Sequence, residues 1–356
     1  MLPYYVMVIA PCLLFLISRS SQRLTLEKKN RATIWCFFGI LLLILMLRNV
    51  KVGTDIQGYL SNFKEIRDVK FSRIFERFDF YEKGYTLFLK LTSIFIRNEQ
   101  LFLALIALIG ALPLAKLYES SENALLTISI FIIVPNFTML FSGIRQIIAL
   151  ALVAISYRFV KEKKLIKFVL IIVVAFLFHQ SAILALLLYP VYHMNITKLK
   201  MMIISPIFVL CLIFNKPIFE FLLSLSGKYA DIYEFEETGA YTMIILFALF
   251  LIFSYIAPTK DKLDKETVGL RNILVLVTFL QTFALSNPVA MRMNLYFIMF
   301  VPLLMPRIIS RCGELNKKAY RFVGLIMISF FIVYYFYSAY SGVDVLQLYP
   351  YRVFWE

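Results

Sequence analysis

Apolar residues run along this chain in continuous blocks of about 14 to 18, each closed by a short polar or charged stretch and none alternating at period two. A helix rises about 1.5 Å per residue, so one such block covers most of a hydrocarbon core about 30 Å thick. In lipid only helices or closed barrels satisfy the backbone, and unbroken apolar runs select helices. The pattern predicts an all-α, polytopic integral membrane bundle. Its spans fall at roughly 2–18, 32–47, 100–117, 124–141, 146–160, 165–178, 181–192, 201–214, 241–257, 272–286, 293–306 and 322–338. That is about twelve transmembrane helices with both chain ends on one side. No internal repeat and no soluble block interrupts the series, so residues 1–356 read as a single membrane domain.

The polar stretches orient it. Arg19, Arg23, Lys28, Lys29 and Arg31 follow the first block, Lys161, Lys163 and Lys164 join the two runs between Ser142 and Ala182, and Arg307, Arg311, Lys317, Lys318 and Arg321 follow a later one. The positive-inside rule makes these loops cytoplasmic, and the weak member is the acidic stretch 118–123. The segment 48–99, the loop 215–240 and the tail VDVLQLYPYRVFWE then lie outside. One run resists this scheme: a full crossing at Tyr85–Ile96 would invert every later loop, yet twelve residues are short for a span. It reads as an interfacial or re-entrant helix, with Leu87, Leu91 and Ile94 on its buried side and Lys90 and Arg97 toward headgroups.

Composition closes off other classes. With 61% hydrophobic residues and a mean hydropathy of +0.80, a soluble globule of this length would find no interior for its apolar surface. The net charge of +15 sits in short loops between spans, where it sets topology and does not call for nucleic acid. Cys12, Cys36, Cys211 and Cys312 show neither CxxC nor histidine-paired spacing and read as packing residues. The first block lacks a cationic leader and a small-residue cleavage site, which predicts an uncleaved first helix.

Candidate chemistry lies at the outer ends of the blocks. The hairpin from Ser142 to Ala182 returns Arg145 and His179, one of two histidines, to the same membrane face, where an ionisable group is costly unless it lines a wet cavity or meets an anion. Arg48 and Arg292 end other spans on that side, and Asp55 and Glu82 come from the segment between them. Each has a plainer reading. Arg48 can snorkel, Asp55 can cap a helix after the glycine turn GTDIQGY, Glu82 and Tyr85 can open an ordinary interfacial helix, and His179 can pack in a helical interface. Taken together, several guanidinium groups without metal-ligand spacing describe a metal-independent site, lacking a cofactor, for a phosphate-type anion on a lipid or lipid-linked molecule. The carboxylates' aromatic surroundings would raise their pKa values.

GTDIQGYLSNF, the EKGY element, SGIRQIIALAL, FHQSA, MRMNLYF and the closing YPYRVF, in that order, resemble the EpsG-like branch of the Wzy-type bacterial polysaccharide polymerases. The matching positions are Gly53, Asp55, Tyr59, Glu82, Tyr85, Arg145, Gln146, His179, Ser181 and Arg292; Lys83 stands where relatives often have proline. The resemblance implies a GT-C-like glycosyltransferase of the bacterial cytoplasmic membrane. It would join oligosaccharide repeat units carried on undecaprenyl pyrophosphate at the outer face, with membrane lipids and a chain-length regulator as further partners. In that reading Asp55 or Glu82 is the base and His179 a hydrogen-bond donor or acid. Arg145 and Arg292 meet the pyrophosphate charge, and Arg48, Tyr59, Tyr85, Gln146, Ser181 and Tyr296 bind substrate. Tyr229, Tyr233 and Tyr241 offer further sugar-stacking faces. An O-antigen ligase differs only in its acceptor. A flippase or transporter takes the same anion but predicts symmetric halves and charges at mid-bilayer.

Overall fold

The computed structural model describes residues 2–20, 24–224, 241–257, 263–312 and 348–356, with a few positions between 318 and 337. The described residues are all-α, with no strand beyond one isolated bridge between Arg48 and Val353. They divide into two compact units, Met1–Leu186 with Phe322–Glu356, and Leu187–Arg321. The expected span 322–338 lies essentially outside the described residues, as do Tyr229 and Tyr233.

In the first unit the helices are α1 (Leu2–Ser20), α2 (Leu26–Leu47), α3 (Ile56–Asp68), the short α4 (Ile74–Arg77), α5 (Lys83–Phe95), α6 (Glu99–Tyr118), α7 (Ala124–Ile133), the short α8 (Pro135–Met139), α9 (Ile144–Lys161) and α10 (Leu165–Phe176). Helix α2 packs on α1 and α6, α6 on α9, and α9 on α10, while α3 lies on α5. Phe37, Phe38, Tyr118 and Phe131 form an aromatic knot where α2, α6 and α7 meet. The acidic stretch 118–123 sits against the basic start of α2. Glu119 is ion-paired with Arg31 at 3.3 Å and accepts the Trp35 indole N–H at 3.1 Å, and Asn30 donates to the Glu122 carbonyl at 3.0 Å. The Glu119 carboxylate is therefore neutralised by Arg31 at the start of α2 and by Lys116.

The second unit holds α11 (Leu188–His193), α12 (Lys198–Ile213), α13 (Asn215–Ser224), α14 (Tyr241–Ile256), α15 (Lys265–Phe283), α16 (Pro288–Ile298) and α17 (Val301–Ser310), with α15 in contact with all the others. By length and composition α2 and α6 are sufficient to cross a membrane. The number rises to four if α12 with α13, bent by 86°, and α16 with α17, bent by 46°, each make one broken span. The expected twelve crossings exceed the number found among the described residues, where α7, α10, α14 and the Leu2–Ser18 stretch of α1 are apolar helices of only 10–17 residues.

The helix expected at Tyr85–Ile96 is present as α5, but its faces are the reverse of those expected. Leu91 is 45% and Ile94 57% exposed, whereas Lys90 is 9% exposed. The Lys90 ammonium donates to the carbonyls of Ile66 (3.0 Å), Arg67 (3.0 Å) and Val69 (2.8 Å), closing the C-terminus of α3, whose last carbonyls have no helical partner. The physical reason is solvent. Next to lipid the apolar stripe has no drive to turn inward, while a cation gains by meeting backbone dipoles inside the protein.

Candidate functional site

Three close approaches in the first unit set up the site. Gly53 has φ +104°, a left-handed conformation open to glycine, and a Cβ there would stand 1.8 Å from the Phe141 carbonyl oxygen. The chain after α2 can therefore lie directly on the turn before α9, where the Asp55 N–H donates to Ser142 Oγ at 3.3 Å. Gly84 plays the same part for α5: a Cβ would come within 2.7 Å of Leu177, and the Tyr85 N–H donates to the Leu177 carbonyl at 3.2 Å. The start of α5 is thereby pinned to the end of α10, next to His179.

Glu82, the residue before α5, is the hub. Its Oε2 accepts from Arg145 Nη1 at 2.6 Å, and its Oε1 accepts the Gln180 backbone N–H at 3.0 Å and lies 3.4 Å from His179 Nδ1. An ionised carboxylate only accepts, so the proton in that last contact is on Nδ1, and His179 Nε2 makes no hydrogen bond to the described residues. The Glu82 side chain is 9% exposed, Arg145 24% and His179 21%. Burial works against the Glu82 charge, but the His179 hydrogen bond, the Arg145 charge and the Gln180 N–H outweigh it and hold the carboxyl at about 2. This corrects the expectation that aromatic surroundings raise it.

Tyrosines surround the guanidinium. Arg145 Nε donates to the Tyr59 hydroxyl at 3.3 Å, and its Cζ stands 4.9 Å from the Tyr81 ring centroid. Tyr81 stacks on Tyr59 at 6.1 Å and meets Tyr85 edge-on at 5.0 Å. Its hydroxyl accepts from Asn62 Nδ2 at 2.6 Å and is pushed up to about 12, chiefly by burial. The Tyr85 hydroxyl is buried without a partner. Arg145 is thus held on three sides, while Nη2 makes no hydrogen bond to the described residues. Asp55 occupies the N-cap position of α3, yet its side chain makes no capping bond, so its carboxylate is left for other work.

Other sequence-derived residues belong to neighbouring stretches of the first unit, and two belong to the second. Gln146 is buried within α9 and Ser181 half-buried after the His179 turn. Arg48 is 1% exposed, donating Nη1 to the Leu140 carbonyl at 3.3 Å beside the Phe141 ring. It is neither snorkelled nor at a surface, because the closing segment lies over it. The Asn49 N–H donates to the Arg352 carbonyl (2.8 Å), the Phe354 N–H to the Leu47 carbonyl (2.9 Å) and the Tyr351 hydroxyl to the Ile44 carbonyl (2.9 Å). Arg292, exposed, and Tyr296, buried, belong to α16 of the second unit. Tyr81, Asn62 and the Gln180 N–H were missed by sequence reasoning. Asn62 shares a helix face with Tyr59 at i+3, a signal open to inspection, whereas a backbone N–H carries no residue-type signature.

These features define an all-α membrane protein with an ion-paired, tyrosine-lined polar centre between its helix ends. A match to the EpsG family covers residues 31–353, reaching to the Val353 that bridges to Arg48, and the chain belongs to that family. The family is associated with polysaccharide biosynthesis at membranes. No curated protein and no solved structure matches the chain.

Proposed function

We propose that this protein is a polysaccharide polymerase of the bacterial cytoplasmic membrane. It transfers a growing glycan from undecaprenyl pyrophosphate to a sugar hydroxyl of the next lipid-linked repeat unit. The observation that carries this reading is the fixed, partly exposed guanidinium of Arg145, locked by Glu82 on one edge and open at Nη2. Transfer breaks the bond between the anomeric carbon and a pyrophosphate oxygen and forms one from that carbon to the acceptor oxygen. The bonding pair leaves with the lipid pyrophosphate, whose growing charge Arg145 meets as a pre-placed cation.

The acceptor's proton goes to Asp55, whose carboxylate is unspent. Glu82, already ionised and ion-paired, is the positioning residue for Arg145 and His179. His179 Nε2 serves as a hydrogen-bond partner to substrate. Tyr59 and Tyr81 offer ring faces to sugars, Tyr85, Gln146 and Ser181 shape the surroundings, and Arg48 holds the frame on which Asp55 and Arg145 sit.

The test is polymerisation by purified protein supplied with lipid-linked repeat units, read as the product length ladder. Arg145→Lys keeps the charge and loses the planar fork. It should cost about 2 to 3 kcal/mol, roughly 30-fold to more than 100-fold in rate, at normal membrane abundance. A full ladder from that variant would reject Arg145 as the phosphate-binding group. The reading requires no metal ion, so the ladder should survive EDTA; loss restored by magnesium would count against it.

A further inference from the structure

The second unit carries a groove that the proposed transfer does not use. It has a volume of 490 Å³, within the range of roughly 300–1,000 Å³ common for ligand sites, and runs between α12, α14 and α15. Phe208, Ala248, Val275 and Phe279 line its length, and Lys198 and Tyr255 stand at one end. That end is drawn together by the Tyr255 hydroxyl donating to the Ile196 carbonyl at 3.1 Å, two residues before Lys198. Arg271 lies over the Tyr255 ring at 4.1 Å from Cζ, and its Nε is buried without a hydrogen-bond partner. Lys198 is exposed and makes no hydrogen bond or ion pair to the described residues. The carboxylates near the start of α15 do not balance these cations, since Asp264 is ion-paired with Arg311 and Glu266 with Arg307 at 3.0 Å. Among the described residues the groove is therefore an apolar slot with one uncompensated cationic end.

We propose that this slot binds an anionic bilayer phospholipid, its acyl chain among Phe208, Ala248 and Phe279 and its phosphate at Lys198 and Arg271. Each half of the ligand answers one half of the site. An aliphatic chain fills apolar space that a water or a sugar would leave unsatisfied. A phosphate takes the unbalanced charge of Lys198, and Arg271, stacked on the lining Tyr255, adds to the positive end. Lys198 and Lys200 fall between the expected spans 181–192 and 201–214, which the alternation of spans puts on the same cytoplasmic face as Lys161–Lys164, where anionic headgroups attract cations. The ligand is accordingly a leaflet lipid and not the outward-facing glycan carrier.

The experiment uses full-length protein in nanodiscs with a photoreactive diazirine on the acyl chain of phosphatidylglycerol, compared with phosphatidylcholine bearing the same chain. Labelling is read by peptide mapping without any transferase assay, so it stands or fails apart from the polymerase reading. The phosphatidylglycerol probe should label peptides containing Phe208, Ala248 or Phe279. Lys198→Gln should weaken that labelling roughly fivefold, the share of one cation at a membrane surface. Ala248→Trp, which fills the slot, should abolish it while labelling of other lipid-facing peptides persists. Equal labelling by both headgroups, undiminished labelling of Ala248→Trp, or displacement of the probe by polyprenyl phosphate but not by unlabelled phosphatidylglycerol would overturn the proposal.

Discussion

Arg48 and Arg145 occupy matching places in the chain, one just after a long apolar helix and one at the start of another, and their surroundings assign them opposite work. Arg48 is almost wholly enclosed, facing a carbonyl, aromatic rings and the backbone of the closing segment, with no carboxylate partner among the described residues. Arg145 keeps a quarter of its side chain exposed, and a carboxylate that is itself held by a backbone N–H fixes its direction. Burial alone does not mark a functional cation. What distinguishes Arg145 is a charge fixed in direction by a carboxylate and left partly exposed, whereas Arg48, with its Nε buried and unpartnered, is enclosed away from any ligand.

The two centres should part under mutation. Arg48→Ala opens a cavity and orphans the Leu140 carbonyl beneath the closing segment, a cost of about 2 to 4 kcal/mol in stability. Membrane abundance and thermal unfolding of the purified variant should show that loss, while the rate per folded molecule stays near wild type. A normally abundant Arg48→Ala protein that makes no polymer would move Arg48 into the substrate site and erase the contrast. Glu82→Gln should behave the other way. The amide preserves size and still accepts the Gln180 N–H, but the charge-assisted bond to Arg145 is gone, worth about 1.5 to 3 kcal/mol. Rate should fall roughly 10-fold to 100-fold at unchanged abundance. Lys90→Met, which removes three donations to the end of α3 without touching either arginine, should lower stability by about 1 to 2 kcal/mol and leave the rate alone. A large rate loss there would mean that α3 transmits strain to Tyr59.

The convergence of Arg145 and His179 was legible because a basic hairpin between two apolar runs returns both ends to one side. Glu82 was named with them as a candidate base, but its part as their common partner was not legible, since it lies 63 residues before Arg145 in the chain and close contacts such as that at Gly84 bring it there. The helix α5 was legible by length. Its orientation was misread because the rule that apolar faces turn inward belongs to water, and Leu91 and Ile94 face out. The burial of Arg48 was hidden for another reason: main-chain hydrogen bonds to residues 352 and 353 leave no trace in side-chain identity.

The smallest expected effect separates Glu82 the positioner from Glu82 the base. Its carboxyl is lowered from an ordinary 4.5 to about 2, so its contribution to stability is fully present above 4.5 and is lost only as pH falls toward 2. Between pH 5 and 8 it does not change charge. The ratio of wild-type to Glu82→Gln rates should therefore be flat across that window, whatever other groups titrate in both proteins. A base whose pKa had been raised into the window would give a different curve, because the wild type would lose the ionised form, and about tenfold in rate, for each unit below that pKa. The ratio would then collapse toward acid. Measuring ladder formation by both proteins at several pH values, on samples matched for abundance, decides between them. A sloping ratio would return Glu82 to the role of base and leave Arg145 without a constant anchor, which would undo the contrast with Arg48 at its physical root.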